Sequence, residues 1–167
     1  MVTIEPIRPV QVEAAKRVIS TVILELFTAE PITAEAVARM QRSHQEQGEF
    51  RDMDEAQSGY FAPGGLFLVL LDGEAVVGTG ALRRLSREIC EVKRMWVLRD
   101  YRGQGFGRRM LNELLDFARK AGYTRARLDS HRTMTQAHRL YARSGFYPIE
   151  RYNNAPADQF LFMEKRL

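Results

Sequence analysis

The sequence predicts an α/β fold: a mixed, mostly antiparallel central sheet of about seven strands with helices on both faces. Three observations carry this. Asp72-Gly73-Glu74 separates two apolar runs; a third β-compatible run, Ile89 to Val97, leads through a glycine-rich loop into an amphipathic helix; and a further strand-like segment, Arg125 to Asp129, follows that helix. Asp-Gly between apolar runs is a strong hairpin signal, so the first pair is antiparallel. A strand, helix, strand crossover in one sheet makes its two strands parallel. The sheet is therefore mixed. With 167 residues and no linker or internal repeat, the chain reads as one domain over 1–167, able to bury roughly 70% of its unfolded surface in one core.

In chain order, Val2 to Ile7 reads as a short edge strand, because Pro6 and Pro9 remove ladder donors. Val12, Ala15, Val18, Ile19, Val22, Ile23, Leu26 and Phe27 recur at helical spacing and present one apolar face to the sheet. Thr33 is the expected N-cap of a shorter, more exposed helix, with Glu35 in its first turn and a weaker face of Ala36, Val37 and Met40. Gly48 to Gly65 is polar and irregular, carries Phe50, Tyr60 and Phe61, and closes with Pro-Gly-Gly, so a long loop is expected. Loops beside a site shape substrate choice.

Leu66 to Leu71 and Ala75 to Leu85 are the hairpin strands, and Gly78 and Gly80 predict a bulge or a close backbone approach. After the glycine loop, Met110, Leu111, Leu114, Leu115 and Ala118 form a helical face ended by Gly122. Met134 to Ser144 is the next helix, with Gly145 as its C-cap. Phe146 to Arg151 and Phe160 to Arg166 supply two more strands around the polar segment Tyr152 to Asp158.

A formal net charge of +4 and an isoelectric point near 9.5 suit an anionic ligand or a nucleic acid. The basic residues are interleaved with acids rather than gathered in blocks, so no nucleic-acid partner is expected. Cys90 is the single cysteine, which excludes an internal disulfide framework, and the start MVTIEPIRPV lacks a basic region and an apolar signal core. A reducing, cytoplasmic setting is expected. The longest apolar run, Leu66 to Leu71, is far short of the ~20 residues that span a bilayer, so no membrane partner is expected. His44, His131 and His138 have no ligand-type spacing to one another or to Cys90, so no metal is expected.

The chemistry concentrates in Glu88 to Gly107. Arg102-Gly103-Gln104-Gly105-Phe106-Gly107 opens directly into a helix. Three glycines let the backbone approach a ligand and turn successive N–H groups onto an anion, and the helix start adds free N–H groups and the positive end of its dipole. Arg102, Arg108 and Arg109 bracket the loop and are candidates to pair with phosphate oxygens. A phosphorylated ligand follows. A dinucleotide fold fails on spacing, since Gly-Gln-Gly-Phe-Gly is not G-x-G-x-x-G and an antiparallel meander precedes it; no Lys-Ser or Lys-Thr follows for a P-loop.

Arg102, Gly105 and Gly107, the preceding EVKRMWVLRDY and the later AHRLYARSGF together resemble the GNAT superfamily of N-acetyltransferases. The resemblance covers most of the chain and implies the acyl-CoA N-acyltransferase fold, acetyl-CoA as acetyl donor without a metal, and a small-molecule or peptide amine as acceptor. It further implies that the main chain around Met95, Trp96 and Val97 holds the pantetheine arm like an added strand. The N–H groups of Gly103, Gln104, Gly105, Phe106, Gly107 and Arg108 would take the pyrophosphate, and the Tyr141 hydroxyl would face the cofactor sulfur and act as acid. The phenol's reference pKa of ~10 keeps it protonated at neutral pH, so it has a proton to offer the departing sulfur.

Glu91 sits where some relatives keep a general-base glutamate working through water; equally, it alternates with Cys90 and Val92 and fits a solvated strand face. Where many relatives carry asparagine before the Tyr141 helix this chain has Met134, so no side-chain contact to pantetheine is implied there. Trp96 packs in the core or beside the cofactor, Cys90 reads as a small buried strand residue, and His131 reads as a solvated loop histidine. Tyr152-Asn153-Asn154 is either a turn or a set of groups that orient a polar acceptor. A catalytically silent acyl-CoA sensor or scaffold is the alternative function: Arg102, the glycines and the strand edge would serve it equally well, and what tells against it is that a pure binder has no need of Tyr141 and Glu91, both of which are present. The oligomeric state stays open, with a homodimer among the readings.

Overall fold

The computed structural model describes residues 1–55 and 59–167; the stretch 56–58 of the expected Gly48 to Gly65 loop lies outside the described residues. The described strands β1 (Val2–Pro6), β2 (Leu66–Asp72), β3 (Ala75–Arg84), β4 (Ile89–Val97), β5 (Arg125–His131), β6 (Tyr147–Pro148) and β7 (Phe160–Arg166) form one sheet in the order β1-β2-β3-β4-β5-β7-β6. Only β4 and β5 run parallel; the other neighbours are antiparallel. The helices are α1 (Val12–Phe27), α2 (Ala34–Glu46), α3 (Arg51–Asp54), α4 (Phe106–Lys120) and α5 (Thr135–Arg143).

Strand alternation builds both cores. Along β2, Phe67, Val69 and Leu71 pack with Ala15, Val18 and Ile19 of α1, while Leu68 and Leu70 pack with Met110, Leu111, Leu114 and Leu115 of α4. A strand covered on both faces reads as an unbroken apolar run, which is why Leu66 to Leu71 shows no polar alternation. Each large side chain buried from α4 contributes roughly 1.5–3 kcal/mol. Thr33 caps α2 as expected, its Oγ1 accepting from Ala36 N at 3.1 Å.

The hairpin forms with Asp72 opposite Ala75, so Gly73 and Glu74 make the turn. The register of β3 on β4 shifts between Thr79 and Ala81. Gly80 lies at that shift, and a Cβ there would sit 2.5 Å from the Met110 sulfur. Across from it, Arg94 has φ of 57°, a left-handed conformation that costs a non-glycine residue about 1–2 kcal/mol. Its guanidinium holds the Asp52 carboxylate at 2.8 and 2.9 Å through one nitrogen, and its carbonyl accepts from Thr79 Oγ1 at 2.6 Å.

Two elements differ from the sequence expectation. Within the expected long loop, Arg51–Asp54 forms a helical turn, and Phe50 and Met53 are buried against α1. What holds it is tertiary: Lys16 of α1, 3% exposed, pairs with Asp54 of α3. One helical turn is too short to display a period in sequence. The expected Phe146 to Arg151 strand shrinks to Tyr147–Pro148, because Phe146 packs against the Tyr141 ring at 5.9 Å rather than entering the sheet.

The feature that creates a site is the incomplete β4–β5 pairing. The two strands register only at Ile89–Arg125, Cys90–Ala126 and Glu91–Arg127, whereas β5 stays paired with β7 through to His131–Phe160. Beyond Glu91 the sheet splays. The β5-facing edge of β4 from Val92 to Val97 is left without a strand partner.

Candidate active site

The splay opens a cleft of about 640 Å³. Its walls are Val92 to Trp96 of β4, Asp129 to His131 of β5, Ile23 and Phe27 of α1, and Tyr141 of α5, with Gly48 to Asp52 at one lip. The glycine loop lies at the β4 end. Gly103 and Gly105 take φ of 75° and 83°, and Gly105 is the N-cap of α4. This left-handed conformation is open to glycine at little cost and turns the N–H groups outward. Among the described residues, the six N–H groups from Gly103 to Arg108 have no acceptor; the first helical bond of α4 is Arg109 N to Gly105 O at 3.0 Å. Six free donors beside a helix N-terminus and an unpaired strand edge fit a pyrophosphate followed by an amide-bearing arm.

Arg102 is bonded within the protein on both sides. Its Nε donates to Val97 O at 2.7 Å and its terminal nitrogens hold Glu25 of α1 at 3.1 and 2.7 Å. The guanidinium thus ties the loop to β4 and α1. Gln104 Nε2 is likewise committed, to Asp100 O at 2.7 Å. Arg108 and Arg109 are exposed.

Tyr141 lies in the cleft wall, 6% exposed, with no hydrogen bond to its hydroxyl among the described residues. Burial, reinforced by the Asp129 carboxylate, pushes the phenol well above its ordinary value of 10.0. The group is a neutral donor at any physiological pH. Complete proton transfer to a thiolate of pKa ~8.5 is uphill from such a phenol, so the chemistry it supports is a hydrogen bond to sulfur as charge develops there.

Glu91 is fully buried and does not reach the cleft lining, which overturns the solvated-face reading. Arg83 Nε donates to one of its oxygens at 2.7 Å and Tyr152 Oη to the other at 2.8 Å, with Lys93 Nζ 3.8 Å away. Lys93 in turn pairs with both oxygens of Asp129 at 3.2 Å, and Asn153 Nδ2 donates to Asp129. The Tyr152-Asn153 segment therefore does more than turn the chain. Its side chains reach inward and lock two carboxylates.

His131 ends β5 rather than sitting in a solvated loop; its ring lies edge-on between Phe27 at 5.0 Å and Phe160 at 5.4 Å. Trp96 packs on the α1-side core and lines the cleft. Cys90 is buried, donates to Arg125 O at 3.6 Å, and burial pushes its thiol up to about 12. Met134 precedes α5 and gives its N-terminus no side-chain cap. Among the described residues, no three His, Cys, Asp or Glu side chains are placed to hold a metal, and no helix is long and apolar enough to cross a membrane.

Sequence reasoning passed over Asp129 and Lys93 as a pair. Their separation of 36 positions hides the contact, and only their places on β5 and β4 bring them together. The one available signal was an acid and a base at the cleft ends of two strands predicted to be neighbours.

The family model for the acetyltransferase (GNAT) family matches residues 24–146. The chain belongs to this family. An uncharacterised N-acetyltransferase of Schizosaccharomyces pombe is 31% identical over 106 residues, covering 62% of this chain and 65% of the relative. The chain thus spans just under two thirds of the length of that GNAT relative. Among solved structures, a GNAT-family acetyltransferase from Staphylococcus aureus aligns with a TM-score of 0.79 at 19% identity over 99% of both chains. The PaiA N-acetyltransferase of Thermoplasma acidophilum, in complex with coenzyme A, aligns at 0.76 and 18% identity over 100% of this chain and 99% of that one. These two likenesses establish the GNAT fold, and the seven-stranded, mostly antiparallel sheet is that fold.

Proposed function

We propose that this GNAT chain transfers an acetyl group from acetyl-CoA to a primary amine by direct attack in a ternary complex. The observation that carries the reading is the run of six N–H groups without a partner among the described residues, Gly103 to Arg108, at one end of a cleft that Tyr141 lines. The complex of the Thermoplasma PaiA protein with coenzyme A supports the same ligand here. Acetyl-CoA supplies an acetyl group activated as a thioester.

The chain's own groups do the rest. The loop N–H groups bind the pyrophosphate, and the main chain from Met95 to Val97 takes the pantetheine arm along the free β4 edge. Arg102 positions that edge by holding Val97 O, rather than binding the cofactor itself. Trp96, Ile23 and Phe27 exclude water from the reacting end. Tyr141 keeps its proton and donates a hydrogen bond to the departing sulfur. Glu91 as general base would require a water path through Arg83 and Tyr152, which already take both its oxygens. A thiol-release assay with acetyl-CoA across an amine panel, against a control without acceptor, tests the whole reading.

That engagement of Glu91 favours one competing reading, a silent acyl-CoA sensor, which needs the loop and the strand edge but no base. Acetyl-CoA binding without thiol release from any acceptor decides for the sensor.

A further inference from the structure

The ion pairs along the cleft differ in what they leave free. Asp52 is paired with Arg94, and Asp129 with Lys93. Arg83 is the exception. It meets the buried Glu91 through Nε alone, at 2.7 Å, and its two terminal nitrogens have no hydrogen-bond partner among the described residues. That side chain is 35% exposed and lines the cleft. A guanidinium anchored by Nε leaves its outer fork free, and that fork matches a carboxylate with two parallel hydrogen bonds. Arg51 stands at the lip, exposed and with no ion pair among the described residues, and adds a second positive charge. Glu49, the remaining carboxylate of the lining, is exposed at the same lip, where solvent and salt screen it; the fork of Arg83 is half-buried and screened less.

We propose that the acceptor taken by this cleft is an amine that also carries a carboxylate, which the outer fork of Arg83 binds, with Arg51 at the rim. The inference rests on the acetyl-transfer reading above and names its substrate class. Register gives it a length. Arg83 lies opposite Glu91, and Met95, where the thioester would lie, is four residues further along β4, at most roughly 13 Å at extended spacing, a span that the left-handed Arg94 shortens. Part of that span is covered by the Arg83 side chain itself. The acceptor's amine and carboxylate are therefore separated by several atoms, as in an ω-amino acid.

The test is thiol release from acetyl-CoA with ω-amino acids from glycine to 6-aminohexanoate, each set against the alkylamine of equal length. The longer members are expected to exceed their alkylamines in kcat/KM by roughly 10–100-fold, the worth of one charge-assisted contact. Arg83→Lys keeps a positive charge beside Glu91 and removes the fork. It should lower the ratio of the two kcat/KM values about tenfold or more. Because that ratio is taken within one preparation, any loss of folded protein cancels. Alkylamines used as well as or better than ω-amino acids, or a ratio unchanged in Arg83→Lys, overturns the carboxylate site and leaves acetyl transfer standing. Release from no amine overturns the acetyl-transfer reading and this inference with it.

Discussion

Arg102 donates through Nε to the main-chain oxygen of Val97 at 2.7 Å, so the loop with the free N–H groups is tied to the last residue of β4. The same guanidinium grips Glu25 on α1 at 2.7 Å. Arg102→Met should raise KM for acetyl-CoA about tenfold, as expected for losing a charge-assisted anchor, with a smaller effect on kcat. Glu25→Gln should shift KM in the same direction. A large effect from Arg102→Met with none from Glu25→Gln would instead mark Arg102 as a direct phosphate contact.

Tyr141→Phe deletes only the hydroxyl of a side chain that lines the cleft. Losing a hydrogen bond to a developing thiolate should lower kcat by roughly 10–100-fold, with KM for acetyl-CoA little changed. An unchanged kcat removes Tyr141 from the chemistry. Since burial holds the phenol well above 10.0, the wild-type rate should show no loss attributable to this group up to pH 10.

Glu91→Gln separates the two roles of that carboxylate. Replacing the charge between Arg83 and Tyr152 should cost about 1.5–3 kcal/mol of stability, read as a lower Tm or urea midpoint. A positioning role leaves the acidic limb of the pH–rate profile where it was. Disappearance of that limb in the variant would establish Glu91 as the general base.

Cys90→Ala should retain activity, and no acetyl-thioenzyme should accumulate under mass spectrometry. A buried thiol pushed up to about 12 supplies almost no thiolate at neutral pH. A trapped acetyl-Cys90 in the wild type, lost with all turnover in the variant, contradicts direct attack.

Glu164 predicts a pH dependence of stability. Burial raises its carboxyl, but the hydrogen bonds from Arg127 at 2.8 Å and Tyr147 at 2.8 Å, with nearby Arg125, hold it below its ordinary 4.5. A depressed folded value means the stabilisation is fully present above about 4.5 and is lost as pH falls through the lower folded value. The gap in Tm between wild type and Glu164→Gln should therefore be constant at neutral pH and close on acidification below 4.5. A gap that widens with acid reverses the sign.

The sequence by itself determined the elements whose signals are local. The period of α1 and α4, the Asp72–Glu74 turn, the Thr33 cap and the glycine loop each depend on residues within a turn or two of one another, and each forms where its pattern lies. The parallel β4–β5 pair also followed from one crossover. Only tertiary structure decided the rest. Pairing of Lys93 with Asp129, burial of Glu91 under Tyr152, capture of Asp54 by Lys16, and anchoring of Arg102 on Glu25 all depend on partners distant in sequence. A charged residue on a strand or loop has the same letter whether water, a ligand or an ion pair satisfies it. Desolvation makes the protein choose, and that choice is made only when the elements pack.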